Sequence, residues 1–329
     1  MEYSPSRARI TAIGTHVPSR VMTNHDLAQM VDTSDEWIVQ RAGIRERRIA
    51  EPDEFTSDLC VHAVADLVAR YKGPIEDIEL IIACTTTPDY TCPSVACQIQ
   101  DRIGIRKTGA IDLNAACAGF VYGLHLANAV ITAGLHRKVL VVAGDTLSKV
   151  IDYKDRSTCV LFGDGAGAVL VEQEEEVPSF LAAHVGSEGQ GSKYIYITGI
   201  SRRIAEPDQE GGLLRQNGRE VFKWAVRAVS DGIVSVMEKA GISLDEVDWF
   251  IPHSANLRII EAICRKTHFP LERTLYSIVQ YGNTSTATIP LALDQGIREG
   301  KIRNGDKILI YGFGSGLVHA GLLLLWSAS

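Results

Sequence analysis

No apolar run in this sequence approaches the roughly 18 residues that a membrane-spanning helix needs, and its first residues lack the basic-then-apolar order of a signal peptide. The seven cysteines are odd in number and include no Cys-x-x-Cys pair, which argues against a disulfide framework and against a zinc ribbon. Positive charge is not in excess: the formal net charge is −7, so the composition gives no reason to expect nucleic-acid binding. We therefore expect a cytoplasmic protein that has neither a membrane nor a nucleic acid as partner.

What the sequence does have is the composition of a globular protein, with 46% hydrophobic and 22% charged residues over 329 positions. A chain of this length can bury one large core or two fused smaller ones. Short apolar strands, predicted at 78–84, 139–144, 159–162 and 168–171, alternate with long helical patterns. This order favours an α/β fold in which helices cover both faces of each sheet.

One cysteine, Cys117, is surrounded by small residues within the stretch 112–120. Residues 118–133 have mostly helical apolar spacing and Gly134 follows them, so we expect Cys117 at the N-terminal end of a buried helix. The helix dipole contributes at most about 2 kcal/mol, which lowers a thiol pKa by roughly 1.5 units. The thiol would then be only partly ionised, so a base or cation is expected nearby. The alternative is an inert buried cysteine that packs like a small hydrophobe.

The two halves of the chain repeat one pattern. Gly73 and Gly241 are each followed by an acidic turn and an apolar strand, and Cys117 to Gly134 and Asn283 to Gly300 both span 17 positions before another strand. We therefore expect a duplicated chain with five layers, α-β-α-β-α, in which two central helices meet. The acidic stretch 172–176 predicts the join, giving an N-terminal half of residues 1–172 and a C-terminal half of residues 173–329.

The duplication predicts that Cys117 and Asn283, each at the start of a central helix, are neighbours. His253 follows the apolar strand 249–252, and sites in such sheets are built at strand ends. A single histidine is more often structural than catalytic, but this placement directs His253 to the contact between the two halves where Cys117 and Asn283 are expected. A metal site formed by Cys84, Cys92 and Cys97 lacks ligand spacing, so no metal is expected there.

Six motifs together resemble the β-ketoacyl-acyl carrier protein synthase III family, condensing enzymes of the thiolase fold, over nearly the whole chain. The motifs occupy residues 35–38, 41–47, 115–119, 162–167, 253–258 and 282–285. The Cys, His, Asn set also separates this family from elongating condensing enzymes, which have Cys, His and His, and from thiolases, which use a second Cys. The resemblance implies a homodimer that needs no cofactor, with acyl-CoA and malonyl-acyl carrier protein as substrates.

The resemblance also implies a reaction and a set of roles. Cys117 would take an acyl group from acyl-CoA, and His253 and Asn283 would stabilise the enolate that malonyl-acyl carrier protein forms when it loses carbon dioxide. Backbone N–H groups of Cys117 and Ser315 would hold the oxyanion on the acyl group. Ser315 stands where the family usually has a glycine, a departure that costs little if its φ is negative.

The remaining roles are carried over position by position. The resemblance implies that the CoA nucleotide and pantetheine are bound by Thr33, Trp37, Arg41, Arg156, Gly218 and Asn256. A basic patch for the carrier protein would comprise Lys223, Arg227, Arg258, Arg265 and Lys266. Cys92 and Phe313 are assigned to the primer pocket, and Cys92 occupies a position where many relatives carry a phenylalanine that closes this pocket across the dimer interface. We expect a roomier pocket that accepts branched or longer primers, unless neighbours such as Tyr90 refill the space.

Three other functions compete with this interpretation. The chain could be a condensing enzyme of secondary metabolism, an acyltransferase that never uses malonate, or a catalytically silent partner of a heterodimeric pair. Retention of His253 and Asn283 favours decarboxylation, since simple acyl transfer needs no enolate stabiliser. Retention of Cys117 argues against a silent partner.

Overall fold

The computed structural model describes residues 5–201, 203–204 and 211–327. The helices are α1 (Asn24–Ala28), α2 (Asp35–Ala42), α3 (Thr56–Arg70), α4 (Val95–Arg102), α5 (Gly119–Thr132), α6 (Arg156–Cys159), α7 (Gly218–Ala240), α8 (Leu257–Thr267), α9 (Ile278–Tyr281) and α10 (Thr288–Arg298). The strands are β1 (Ala8–His16), β2 (Val21–Thr23), β3 (Glu46–Arg48), β4 (Leu80–Cys84), β5 (Gly109–Leu113), β6 (Lys138–Asp145), β7 (Gly165–Gln173), β8 (Phe180–Ser187), β9 (Ile195–Ile197), β10 (Leu214–Gln216), β11 (Trp249–Pro252), β12 (Lys307–Gly314) and β13 (Val318–Leu325). Within these ranges, no helix combines the length and the apolar character needed to cross a membrane.

Two large sheets share one topology. The first has the order β1-β7-β6-β4-β5 and the second the order β11-β12-β13-β8. In the first, β4 is parallel to β6, and β7 and β1 follow antiparallel. In the second, β11 is parallel to β12, and β13 and β8 follow antiparallel. The counterpart of β5 has shrunk to a single parallel bridge between Phe250 and Thr274. The duplication expected from the sequence is therefore present in the strand order.

The central helices α5 and α10 lie between the two sheets. Phe120 and Leu124 of α5 and Ile289 and Leu293 of α10 are fully buried in one cluster with apolar residues from both sheets. On the outer faces, α3 packs against the first sheet, and α7 and α8 pack against the second. The expected order of five layers is confirmed, and it places the starts of two buried helices at the centre of the molecule.

The prediction of a strand at 159–162 is wrong, because Cys159 is the last residue of the short helix α6 and a turn follows it. Asp155 caps it, with its carboxylate accepting a hydrogen bond of 2.9 Å from the Ser157 amide and one of 2.7 Å from the Thr158 hydroxyl. A local cap of this kind outweighs the strand preference of a short apolar run. The division between residues 172 and 173 stays a prediction; β7 ends at Gln173 and β8 begins at Phe180.

Candidate active site

Cys117 lies in a 3-10 turn, Ala116–Ala118, directly before α5. The first residue of α5 is Gly119, not Ala118 as the spacing predicted. The Asn114 side-chain oxygen accepts a hydrogen bond of 3.2 Å from the Ala116 amide. Ala116 has a φ of 45°, a left-handed conformation that non-glycine residues seldom adopt. This turn places Cys117 outside the regular helix, with its sulfur at the interface between the two halves.

The same turn occurs in the second half. The Asn283 side-chain oxygen accepts a hydrogen bond of 2.9 Å from the Ser285 amide, Ser285 has a φ of 51°, and a 3-10 turn leads into α10. Asn283 therefore corresponds to Asn114, and the counterpart of Cys117 is Thr286. The equal intervals in the sequence suggested a different pairing because α5 has 14 residues and α10 has 11.

The two turns touch each other, so Cys117 and Asn283 do come together as expected. The Ser285 hydroxyl donates to the Cys117 sulfur at 3.4 Å. A Cβ on Gly119 would lie 2.9 Å from the Thr286 methyl, and a Cβ on Gly314 would lie 2.8 Å from the Cys117 amide nitrogen. A side chain in place of Gly119 would push the two turns apart, and one in place of Gly314 would push β12 away from the Cys117 turn.

Burial raises the pKa of the Cys117 thiol to about 12, with a smaller contribution from the buried carboxylate of Asp145. The hydrogen bond from Ser285 acts in the opposite direction but does not compensate. The expectation of a thiol partly ionised by a helix dipole is therefore wrong, because desolvation of the thiolate outweighs the favourable field. Cys117 is a protonated thiol at neutral pH, and the sulfur must lose its proton as it reacts.

His253 directly follows β11 and is almost completely buried. Burial lowers its pKa to about 3, so the imidazole is neutral. Its Nδ1 lies 2.7 Å from the Thr288 hydroxyl, which also lies 3.0 Å from the Ser285 carbonyl oxygen. That carbonyl already accepts the Thr288 backbone N–H, so the hydroxyl can donate to Nδ1 without leaving the carbonyl unpaired. The Thr288 hydroxyl has one proton: if it goes to the Ser285 carbonyl, the ring proton of His253 lies on Nδ1, and if it goes to Nδ1, the ring proton lies on Nε2.

All three residues expected to be catalytic line one cavity of about 910 Å³. Its lining includes Cys117, His253 and Asn283, together with Trp37, Arg41, Arg156, Gly218, Lys223, Asn256, Arg258 and Phe313. The oxygen of the Asn283 amide is occupied by the Ser285 N–H, so its NH₂ group is the part left to face this space. We call this cavity the tunnel.

Trp37 and two arginines form a stack in the tunnel. The Arg156 guanidinium lies 4.2 Å from the centre of the indole ring and that of Arg41 lies 5.9 Å from it. Asn256 caps α8, its side-chain oxygen accepting from the Arg258 amide at 2.8 Å. Thr33 does not line the tunnel, and its buried hydroxyl has no hydrogen-bond partner among the described residues.

A second cavity, of about 880 Å³, meets the tunnel at Cys117 and Ile195. Ser315 lines it, and its φ is not in the left-handed region. Its hydroxyl donates to the Ile195 carbonyl at 2.5 Å, so this departure from glycine fits the loop. Phe313 does not line the second cavity. Its ring lies in the tunnel instead, edge-on to His253 at 5.1 Å, and Cys92 is exposed and lines neither cavity.

The five basic residues expected to bind a carrier protein lie on α7 and α8, which pack together. Four of them pair with carboxylates of this chain: Lys223 with Glu220, Arg227 with Glu188, Arg258 with Glu261 and Lys266 with Asp231. Arg265 lies beside Glu261 in a separate surface cavity. Only Lys223 and Arg258 line the tunnel itself.

Sequence reasoning missed three residues that hold the site together: Asp145, Ser285 and Thr288. Asp145 ends β6 and is fully buried; one of its oxygens accepts hydrogen bonds from residues 85–87 and the other accepts from Thr286. A carboxylate directly after an apolar strand was the available signal for Asp145. Ser285 and Thr288 gave none, because small hydroxyl residues are common at helix starts.

A cysteine, a neutral histidine and an asparagine amide converge at the starts of the central helices of a duplicated five-layer fold. This combination defines a condensing enzyme of the thiolase fold. The comparisons with known proteins agree and specify it further. Sequence models of 3-oxoacyl-[acyl-carrier-protein] synthase III match residues 111–189, and models of its C-terminal domain match residues 237–326.

Curated relatives and a solved structure match almost the whole chain. The β-ketoacyl-[acyl-carrier-protein] synthase III 2 of Halalkalibacterium halodurans is 61% identical, covering 98% of this chain and 97% of that protein. The Bacillus subtilis protein of the same name is 56% identical, covering 98% and 99%. The crystal structure of β-ketoacyl-[acyl-carrier-protein] synthase III from Thermus thermophilus superposes with a TM-score of 0.93 at 46% identity, covering 98% and 100%. This chain belongs to the β-ketoacyl-acyl carrier protein synthase III family, the acyltransferases that catalyse the initiating condensation of fatty acid synthesis.

Proposed function

We propose that this chain joins an acyl-CoA primer to malonyl-acyl carrier protein, with Cys117 carrying the acyl group between the two substrates. The position of Cys117 carries the proposal: its sulfur stands where the tunnel meets the second cavity. One substrate enters through the tunnel, and the acyl chain that it delivers occupies the second cavity. The tunnel is then free for the other substrate, whose reacting carbon meets the acyl group at the sulfur.

In the first half-reaction the Cys117 sulfur attacks the acyl carbon of acyl-CoA. The bond from that carbon to the CoA sulfur breaks, and CoA leaves as a thiol with the proton that Cys117 gives up. Because burial keeps the resting thiol protonated, this proton moves during the attack and not before it. The Cys117 and Ser315 backbone N–H groups are proposed to hold the oxyanion of this step.

In the second half-reaction malonyl-acyl carrier protein loses carbon dioxide, and the electrons of the broken bond form an enolate. The Nε2–H of His253 and the NH₂ of Asn283 donate to the enolate oxygen, as preorganised donors that strengthen as charge develops. The enolate carbon attacks the acyl thioester, and the Cys117 sulfur leaves as a thiolate that takes one proton from solvent. The product is β-ketoacyl-acyl carrier protein, and the step balances without a cofactor.

The tunnel offers a site for each part of CoA. Trp37 is proposed to stack on the adenine, which would take the place of or insert beside the Arg156 guanidinium. Arg41 and Arg156 provide positive charge for phosphates; Thr33 lies outside the tunnel lining, and its contact with CoA rests on the resemblance alone. Gly218 and Asn256 are proposed to contact the pantetheine.

The carrier protein is proposed to dock on the exposed faces of α7 and α8. Lys223 and Arg258 stand at the tunnel, where the prosthetic group of the carrier would enter. Arg227, Arg265 and Lys266 extend the positive surface. The carboxylate partners of four of these residues weaken the patch, so docking would exchange one ion pair for another.

A homodimer is supported by the free edge of the first sheet. β5 is its last strand, and Ile111 on β5 is exposed, as is Tyr90 in the segment between β4 and α4. An exposed apolar edge strand pairs readily with a second copy. The resemblance implies that Cys92, which is exposed in the single chain, then faces the primer pocket across the dimer interface. The cytoplasmic location remains the expectation from the sequence.

The volume of the second cavity supports primers longer than acetyl, with branched chains among them. The test is turnover with malonyl-acyl carrier protein against a panel of straight and branched acyl-CoAs, beside Cys117→Ala, with mass measurement of the enzyme. We expect β-ketoacyl product that disappears in the variant, and a branched or longer primer with the highest kcat/KM. Acylation of Cys117 without condensation would instead support an acyltransferase, and a second extender substrate would support secondary metabolism. An enzyme that gains no acyl mass would be a silent partner.

A further inference from the structure

Two histidines and a glutamate converge on the outer face of the first sheet, away from both cavities. His16 is the last residue of β1, His62 lies in the first half of α3, and Glu54 precedes that helix. One ligand atom from each of the three lies within 4.8 Å of the other two. Among the described residues this is the only such group of three possible metal ligands.

We propose that His16, Glu54 and His62 bind one divalent metal ion such as Zn²⁺. Two imidazoles and one carboxylate form a ligand set that suits Zn²⁺, with a fourth position left for water or another ligand. Zinc bonds to nitrogen and oxygen are about 2.0–2.2 Å long, so each ligand atom must move inwards by roughly 1 Å or less. The exposed His62 side chain is free to make its share of this movement.

The carboxylate is already held in a binding orientation. One Glu54 oxygen accepts a hydrogen bond of 3.1 Å from the Glu51 amide, and the other lies 3.9 Å from Nε2 of His16. The backbone therefore fixes one oxygen and presents the other to the histidines. Ligand carboxylates in metal sites are commonly anchored by a hydrogen bond in this way.

The charges around the group also favour a cation. The rings of His16 and His62 lie 4.6 Å apart, so their nitrogens can face one ion. Glu54 and Asp66 are the carboxylates that face His16. Asp66 is occupied by the Thr15 amide and by two arginines, so it adds negative potential but is not a free ligand.

The site shares no residue with the tunnel or with the second cavity, so it stands apart from the proposed function. It joins the end of an edge strand to the outer helix of the same half. A bound ion would therefore fasten β1, α3 and the loop before α3 to one another, and it would raise the melting temperature of the protein.

The test is calorimetric titration of the full chain, without an affinity tag, with ZnCl₂, and thermal melting with and without the ion. We expect one tight equivalent in the wild type and a rise in Tm. His62→Ala and Glu54→Gln should each weaken binding by at least about tenfold and abolish the rise in Tm. His62 is exposed, so its replacement leaves packing intact. His136→Ala is the matched control, because His136 pairs with Glu79 at 3.7 Å but has no second histidine.

Titration with CoCl₂ distinguishes these ligands from the free cysteines of the chain. Absorption of a nitrogen- and oxygen-bound Co²⁺ ion, lost in His62→Ala, would support the site. A thiolate-to-cobalt charge-transfer band would assign the ion to cysteine and overturn the proposal. Absence of binding, or binding unchanged in both His62→Ala and Glu54→Gln, would also overturn it, whatever the condensing activity of the preparation.

Discussion

Replacing Thr288 by valine removes one buried hydroxyl and keeps almost the same shape. In the wild type this hydroxyl lies 2.7 Å from Nδ1 of His253. The proposed mechanism needs the hydroxyl to donate to Nδ1, which leaves the ring proton on Nε2, where it can stabilise the enolate. In Thr288→Val, Nδ1 has no partner in either tautomer, so both tautomers become populated and the ring loses its anchor. The variant should therefore impair decarboxylation while leaving Cys117 able to accept an acyl group.

The structure bounds the size of the effect. Complete loss of one donor to a developing oxyanion costs about 10²–10³ in kcat, and Thr288→Val removes the donor from only part of the population. We expect kcat with malonyl-acyl carrier protein to fall by roughly 10- to 100-fold. Acylation of Cys117, followed by mass in a single turnover, should stay within about threefold of the wild type, because His253 is not assigned to that step.

Thr288→Ser is the matched control, because it keeps the hydroxyl and loses only a methyl group. Its kcat should lie close to that of the wild type. The ¹⁵N chemical shifts of His253 report the tautomer directly, and should show Nε2–H in the wild type and in Thr288→Ser but a mixture in Thr288→Val. The reasoning is refuted if Thr288→Val keeps kcat within twofold, or if the serine variant is equally impaired while the tautomer is unchanged.

Three further predictions concern the thiol, the buried histidine and the nucleotide site. The pKa of Cys117 is about 12, so its rate of alkylation should rise about tenfold per pH unit from pH 7 to 9. Peptide mass measures this rate, which should be slower in Ser285→Ala because the hydrogen bond that lowers the pKa is lost. A plateau below pH 9 would contradict this prediction. Between pH 6.5 and 3, His253 is protonated in the unfolded chain but not in the native chain. This group alone therefore lowers the free energy of unfolding by about 1.4 kcal/mol for each unit by which the pH falls. Urea unfolding of His253→Gln should show a shallower loss, and an equal slope would refute it. Trp37→Ala should raise the KM for acyl-CoA about tenfold at nearly constant kcat, because the indole ring no longer stacks on the adenine. The KM for a short thioester that lacks the nucleotide should not change. An equal rise in KM for both thioesters would contradict stacking.

The positions of the reacting residues could be predicted from the sequence because they depend on chain order. Cys117 and Asn283 precede buried helices in two repeated units, and His253 ends an apolar strand, so the topology brings them together. The exact pairing of the repeats could not be predicted in this way. A spacing of 17 residues does not reveal that α10 is three residues shorter than α5, and the hydrogen bonds of Asn114 and Asn283 show which positions correspond.

The electrostatics of the site were beyond the reach of the sequence. The helix dipole could be anticipated at Cys117, but the desolvation that raises its pKa depends on how completely Ser285, Gly314 and their neighbours enclose the sulfur. The partner of His253 was hidden for a similar reason. Thr288 is distant along the chain and belongs to a residue type that occurs at many helix starts.

The matching turns at Asn114 and Asn283 also say something about ancestry. A single ancestral half that dimerised about a twofold axis would have placed two identical copies of this turn against each other, much as Cys117 and Ser285 stand now. Fusion of the two genes released each copy from that symmetry. One turn could then specialise in carrying the acyl group and the other in presenting an amide, while the older Asn-to-backbone hydrogen bond was kept in both. Asymmetric chemistry was thus acquired on a symmetric frame.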